Sequence, residues 1–386
     1  MLLKGMKMTE KVDVCIVGGG VVGLFCALEQ AKNGKVVRLI DKLYSGSSRY
    51  NMGEIVLKGL PESMSEFAKY SHEQWSHAAA DFGKNLGYEQ LGCARFSLKG
   101  SNVENLKAEV EKEKELGFEN VEFIDDDKKI HEKLGLTNFS EVINAIKYSE
   151  DESAIDTSKA LDGLRKMIIQ SGVRIWGSDV VEQVITKDGS VQKVITDTGE
   201  ECEAKNFIFA TGVWSSTLLA KVGESLPIRP ARVHILQLIP TGKMPTCILN
   251  SGEKYGNILI KSQINGRALV MYTASMDPAQ ATWSTEEDVE LIAWLRRRAG
   301  QMVKTLENAE LRGVNVVLTA ITPDKNPYIG AIEKLDNLYL AAGMNGKSYA
   351  YAAGVAKYLG LLLRGEESPF TAETQKAISP SVKRFK

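Results

Sequence analysis

The sequence predicts an α/β protein: one domain on a parallel sheet, and a second domain on a mixed or antiparallel sheet. Three observations predict it. A strand, a glycine-rich turn, a helix and a second strand follow one another between Val12 and Asp41. Further buried-strand patterns, Phe207–Ala210 and Leu338–Ala341, lie far along the chain. Residues 227–275 alternate apolar and polar, with turns at Thr241-Gly242, Gly252 and Asn265-Gly266, and read as antiparallel strands.

The N-terminal unit is the most informative. An apolar strand, Val12–Val17, runs into Gly18-x-Gly20-x-x-Gly23. The helix that follows carries Leu24, Ala27, Leu28 and Ala31 on one face and ends at Gly34. A second strand, Val36–Ile40, ends on Asp41. Gly18 permits the tight turn, and Gly20 lets the backbone approach a pyrophosphate where a Cβ would collide. Gly23 lets the helix pack close to the strand. The helix N-terminus offers free N–H groups and the positive dipole end to phosphates. Asp41 stands about 20 residues beyond the glycines, where a carboxylate accepts hydrogen bonds from ribose hydroxyls. Held between two strands, these glycines read as a Rossmann-like dinucleotide-binding unit rather than an ordinary glycine-rich turn.

The remaining elements follow in order. Residues 45–58 form a polar, glycine-containing loop and then a short apolar stretch. Pro61–Leu86 reads as a helix with Phe67, Trp75 and Phe82 on its apolar stripe, and Leu91–Leu98 as a strand. Val103–Leu116 is a charged helix with a solvated face. Ala154–Gln170 is a helix and Val173–Trp176 a strand. Val180–Thr186 and Gln192–Thr196 form a hairpin around Asp188-Gly189. Thr285–Thr305 and Tyr349–Leu363 read as helices. The nucleotide-binding domain is therefore expected from 1–80, 145–222 and 319–386. The second domain, for substrate, is expected from 81–144 and 223–318.

Composition narrows the class. At 386 residues the chain exceeds one simple core. It is 44% hydrophobic and 25% charged with a formal net charge of −1, so nothing favours a nucleic-acid partner. No secretory leader and no transmembrane segment are expected. Cys15, Cys26, Cys93, Cys202 and Cys247 form no CxxC pair, so no metal site is expected, and a reducing cytoplasm is the default compartment.

Four segments carry a resemblance to a known family. They are the N-terminal fingerprint, Ala210-Thr-Gly-Val-Trp214, Thr322-Pro-Asp-Lys-Asn-Pro-Tyr-Ile-Gly330, and the glycine-containing turn at Gly343 and Gly346 that opens the last helix. Over nearly its whole length the chain resembles FAD-dependent oxidoreductases of the D-amino-acid oxidase type. That family includes glycine oxidase, monomeric sarcosine oxidase and dye-linked proline dehydrogenases. The resemblance implies a non-covalently held FAD that takes a hydride at N5 from the carbon bearing a substrate amine. It places Asp41 and Lys42 at the adenosine ribose, and Ser47 and Ser48 at the pyrophosphate. Arg49 to Gly53, with Asn51, would pass beside the isoalloxazine ring. The Val180 backbone would meet the adenine. Thr211, Gly212 and Trp214 would lie near the ribityl chain, with a core position the alternative for Trp214. Gly343, Asn345, Gly346, Lys347 and Ser348 would face the N1–C2=O end of the ring.

The chain departs from the family in places. An arginine that clamps a substrate carboxylate often precedes the TPD-like segment, and Thr319 stands there. Arg49, Tyr255, Tyr272 and Lys347 are the candidate replacements, each tyrosine also reading as core. Ser348 replaces the last glycine of the turn, and Asp41 stands where glutamate is frequent. His234, on an expected sheet strand, reads as a structural histidine, with a general base the alternative. The expected substrate is a small amino or imino acid such as proline, glycine, sarcosine or a D-amino acid. A 2-hydroxy acid, or a role as the flavin-bearing subunit of an electron-transfer complex, are the alternatives. The electron acceptor stays open between quinone, dye and protein subunit, as does an oligomer. Attachment at the inner face of a membrane is the alternative to a free cytoplasmic location.

Overall fold

The computed structural model describes residues 10–43, 46–82, 86–98, 103–135, 143–253, 256–263, 265–273 and 281–385. The chain begins with β1 (Glu10–Val17), α1 (Val21–Lys32), β2 (Val37–Asp41), β3 (Glu54–Ile55) and α2 (Ser65–Phe82). It continues through β4 (Tyr88–Gln90), β5 (Cys93–Leu98), α3 (Glu104–Glu115), β6 (Val121–Ile124), α4 (Asp127–Leu134) and β7 (Ile143–Ser149). Next come β8 (Ser153–Ile155), α5 (Thr157–Gln170), β9 (Arg174–Gly177), β10 (Val181–Lys187), β11 (Ser190–Thr196), β12 (Glu201–Phe209) and α6 (Ser215–Ala220). Then follow β13 (Arg229–Ile239), β14 (Ile248–Glu253), β15 (Gly256–Ser262), β16 (Ala268–Thr273), α7 (Val289–Met302) and β17 (Glu310–Ile321). The chain closes with β18 (Tyr328–Ala331), β19 (Leu338–Ala342), α8 (Ser348–Arg364) and α9 (Ala372–Ile378).

Two large sheets organise these elements. In the first, β1 pairs in parallel with β2 and β12, β2 with β9, and β12 with β19. β1 is covered on both faces, so Val14, Cys15, Ile16 and Val17 are all buried, as a central parallel strand requires. The β10–β11 hairpin extends the sheet beyond the early part of β12. α1 and α8 lie together on one face. α2 leans on α8 closely enough that a Cβ on Gly354 would stand 2.8 Å from the Phe67 carbonyl.

The second sheet runs β17-β13-β16-β15-β14-β5-β7-β6. One face packs under α7, through Leu236, Val270, Leu295 and Ala299. The other face presents Val233, Ile235, Leu259 and Met271 to Met52 and Ala154, where it roofs the first domain. β3, β8 and β4 form a small sheet at this junction.

Caps explain where helices begin. The expected helix from Ala154 starts instead at Thr157: residues 153–155 pair as β8, and the Asp156 carboxylate accepts from Ser158 and Lys159 N–H. The helix expected from Thr285 starts at Val289, because Asp288 accepts from Leu291 N–H. The helix expected over Pro61–Leu86 is confined to Ser65–Phe82 after a 3-10 turn. The domain boundaries placed at 145 and 319 fall inside β7 and β17. Both strands are hydrogen-bonded into the second sheet along their length, so each belongs to it whole.

Candidate active site

The glycine turn is a cradle with no room for side chains. Gly18 has φ +105°, and a Cβ there would lie 2.4 Å from the Ala210 carbonyl oxygen. A Cβ on Gly23 would lie 1.8 Å from the Gly18 carbonyl, which binds α1 to the end of β1. Gly20 caps α1 without a side-chain hydrogen bond, and no acid occupies the first turn. The helix N-terminus thus keeps its positive end for an anion. Ser48 Oγ reaches the same place and accepts from Val21 N–H at 3.2 Å. Asp41 accepts from Gly19 N–H at 2.9 Å and from Leu43 N–H at 3.1 Å, pinning the end of β2 to the cradle. Gly19 was not singled out by its spacing, yet a Cβ there would sit 2.7 Å from the Asp41 carboxylate.

The cradle opens into a cavity of about 490 Å³. Gly18, Gly20, Asp41, Lys42, Ser47 and Ser48 line one side. Val180, Thr211, Gly212 and Trp214 line the other. Gly23 is buried in the first turn of α1, behind the cradle. Trp214 is 44% exposed, so its alternative placement in the core does not hold. At the cavity wall the Val180 N–H donates to Asp197 Oδ1 at 3.0 Å, and its carbonyl accepts from Asp197 N–H at 2.8 Å.

Arg49 lines this cavity too, beside Arg165. Its guanidinium is 3.6 Å from Asp162 Oδ1 on α5. Arg165 escaped the sequence reading. Its only signal is the i, i+4 spacing to Leu161, which puts both on the α5 face that lines the cavity.

Beyond Arg49 the chain turns towards α8. Asn51 accepts from Gly53 N–H at 2.8 Å and donates to the Gly346 carbonyl at 3.3 Å. Gly53 has φ +71°, and a Cβ there would lie 2.2 Å from the Ile155 carbonyl oxygen. The turn before α8 is held open by left-handed residues: Gly343 at φ +75°, Asn345 at 50° and Gly346 at +81°. Asn345 accepts from Thr322 N–H at 2.9 Å and donates to the Gly343 carbonyl at 2.6 Å. Lys347 caps α8, and Ser348 is its first residue. The Lys347 ammonium lies 3.2 Å from Glu54 Oε2. Burial works against this charge, but the Glu54 carboxylate outweighs it and raises the lysine pKa. The structure therefore brings Asn51, Gly53, Gly346 and Lys347 together.

Tyr272 and His234 lie apart from this group. Tyr272 points to the opposite face of the roof sheet, where its ring meets Trp294 of α7 edge-on at 5.4 Å. Its neighbours Met271 and Leu269 face the site instead, because side chains alternate along a strand. Tyr255 lies outside the described residues. His234 shares the α7 face: it is 1% exposed, and its Nε2 accepts from Asp288 N–H at 3.0 Å. Burial lowers its pKa, so it serves as a neutral acceptor for the start of α7. Thr319 is half-buried on β17 opposite Ala231.

Among the described residues no group of His, Cys, Asp and Glu is placed to hold a metal. None of their helices is long and apolar enough to cross a membrane. The cradle that any Cβ would fill and the uncapped α1 terminus fit a dinucleotide pyrophosphate.

Comparison with known proteins agrees. The chain is 25% identical over 364 residues to 4-methylaminobutanoate oxidase (formaldehyde-forming) of Paenarthrobacter nicotinovorans, with 90% of this chain and 43% of that protein covered. It therefore spans less than half the length of that relative. It is 24% identical over 364 residues to glycine oxidase of Bacillus licheniformis, covering 90% and 92% of the two chains. The crystal structure of glycine oxidase from Geobacillus kaustophilus superposes with a TM-score of 0.87 at 19% identity, covering 97% of this chain and 99% of that one. The family profile described as FAD dependent oxidoreductase matches residues 13–362. With the phosphate cradle, the parallel sheet and the family match in accord, the chain belongs to the FAD-dependent oxidoreductases of the D-amino-acid oxidase family.

Proposed function

We propose that the protein oxidises a small amino or imino acid, passing its hydride to non-covalently held FAD. The observation that carries this reading is the Lys347–Glu54 pair at the mouth of α8. Lys347 is a cation at the junction of the two domains, beside the turn read as facing the ring. It is suited to a substrate carboxylate in a site where Thr319 supplies none of the charge of an arginine. Glu54 holds that ammonium in place until a carboxylate arrives. The roof face of Val233, Ile235, Leu259 and Met271 offers apolar contact for a short side chain or ring. When bound, FAD supplies the two-electron acceptor, and the relatives' names support amine substrates.

We further place the protein in a reducing cytoplasm, free or held at the inner face of a membrane, with a quinone, dye-like molecule or protein subunit as acceptor. Anaerobic titration followed by the visible flavin band tests the reading. L-proline, glycine, sarcosine, D-amino acids and two 2-hydroxy acids form the panel. Bleaching by an amine supports the proposal. Bleaching by a hydroxy acid alone overturns it in favour of the reading that Thr319 suggests. A flavin that none of them reduces points to a subunit of an electron-transfer complex.

A further inference from the structure

Lys261 is a buried cation apart from the phosphate cradle and the Lys347–Glu54 pair. It lies on β15, on the roof face that carries Leu259, and is 6% exposed. Among the described residues no carboxylate is within ion-pair range of it. Its amine donates instead to two main-chain carbonyls, those of Met52 and Ile155. These carbonyls belong to separate segments that meet at Gly53. Ile155 N–H donates to the Gly53 carbonyl at 2.8 Å, and the Ile155 oxygen closes over the Gly53 Cα. On its other side the same strip is tied to the turn before α8 through Asn51 and Gly346.

A lysine in a dry site without a counter-charge destabilises the fold, and an apolar side chain would pack there at lower cost. Its placement answers a specific demand: two buried carbonyls that meet at a left-handed glycine each need a donor. We propose that Lys261 is a positioning residue, whose amine fixes the Met52–Gly53 strip against the roof sheet and so sets the gap in which substrate meets the flavin ring. The inference rests on the reading of Arg49–Gly53 as the strip beside the ring. Burial brings the Lys261 pKa down to about 8, while the carboxylates of Glu54, Asp156 and Glu89 pull it back up at longer range. The amine keeps N–H donors in either state, and its charged form holds the carbonyls more strongly.

The test uses the holoprotein. Lys261→Met keeps the length of the side chain and removes its donors; Lys261→Gln restores donors without charge. In Lys261→Met the visible circular dichroism of bound flavin should change, and kcat should fall between about 10- and 100-fold, with KM for the substrate less affected. Lys261→Gln should recover part of both. The wild-type flavin signal should also move with pH around 8 and that of Lys261→Met should not. A Met variant with unchanged flavin dichroism and kcat, altered only in thermal stability, overturns the inference. If that variant does not fold, a wild-type signal flat from about pH 6.5 to about pH 9.5 overturns it instead. A wild type that cannot take up FAD at all overturns the parent reading, and this one with it.

Discussion

Single residues at the cradle act by absence of a side chain. Gly23→Ala puts a methyl group 1.8 Å from the Gly18 carbonyl, so α1 must move off β1. We expect a loss of about 1–3 kcal/mol in stability together with weakened FAD affinity, read by denaturant titration with and without FAD. Lys347 acts by charge. Lys347→Met leaves Glu54 buried without its partner and removes the proposed carboxylate anchor. KM should rise about 10-fold or more with the flavin spectrum retained, and steady-state kinetics on the reducing substrate checks this. An unchanged KM would remove Lys347 from the substrate site. Tyr272→Phe should leave kcat and KM as they are, since its ring packs against Trp294 away from the site.

At the scale of elements, caps and pairing partners decide what the sequence can reveal. Asp288→Ala should cost about 1 kcal/mol through the start of α7, measured by urea denaturation, with FAD affinity unchanged. The βαβ unit was legible because its signals are local: glycines between strands, and an acid at the end of the second. The turn before α8 was legible for the same reason, through Gly343 and Gly346. What was hidden depends on contacts between distant segments. Nothing near Lys261 announces that it will reach Met52 and Ile155, and Arg165 looks like any helix arginine. β7 and β17 escaped because their alternation is weak and their partners lie far away in sequence. For Tyr272 the core reading is the one the structure bears out, and the sequence leaves the choice open because a one-residue shift along a strand reverses the face it serves.

For the whole molecule, two buried groups give stability a dependence on pH. Burial pushes Glu152 up to about 7 from 4.5, so the folded chain keeps a proton that the unfolded chain releases. Its favourable share is present below pH 4.5 and is lost as pH rises to 7. Lys261, lowered from 10.5 to about 8, has the opposite sign: its share is present above 10.5 and is lost as pH falls through 8. Each shift corresponds to roughly 3 kcal/mol. The stability of Lys261→Met relative to wild type should therefore be greatest near neutral pH and should fall towards pH 10.5, on top of a pH-independent cost for the carbonyls left without donors. Chemical denaturation of both proteins across that range checks it, and a difference independent of pH would contradict it.

The first sheet is assembled from both ends of the sequence: β1 pairs with β12, and β12 with β19. During synthesis the roof sheet is complete once β17 has emerged, while the flavin sheet still lacks β18, β19 and α8. At that stage of synthesis the βαβ unit still lacks α8, the helix that packs beside α1 in the finished fold. Long-range parallel pairing of this kind closes slowly and leaves apolar edges open meanwhile. FAD binding is therefore expected to follow closure of that sheet, and FAD added during refolding should raise the yield of folded protein.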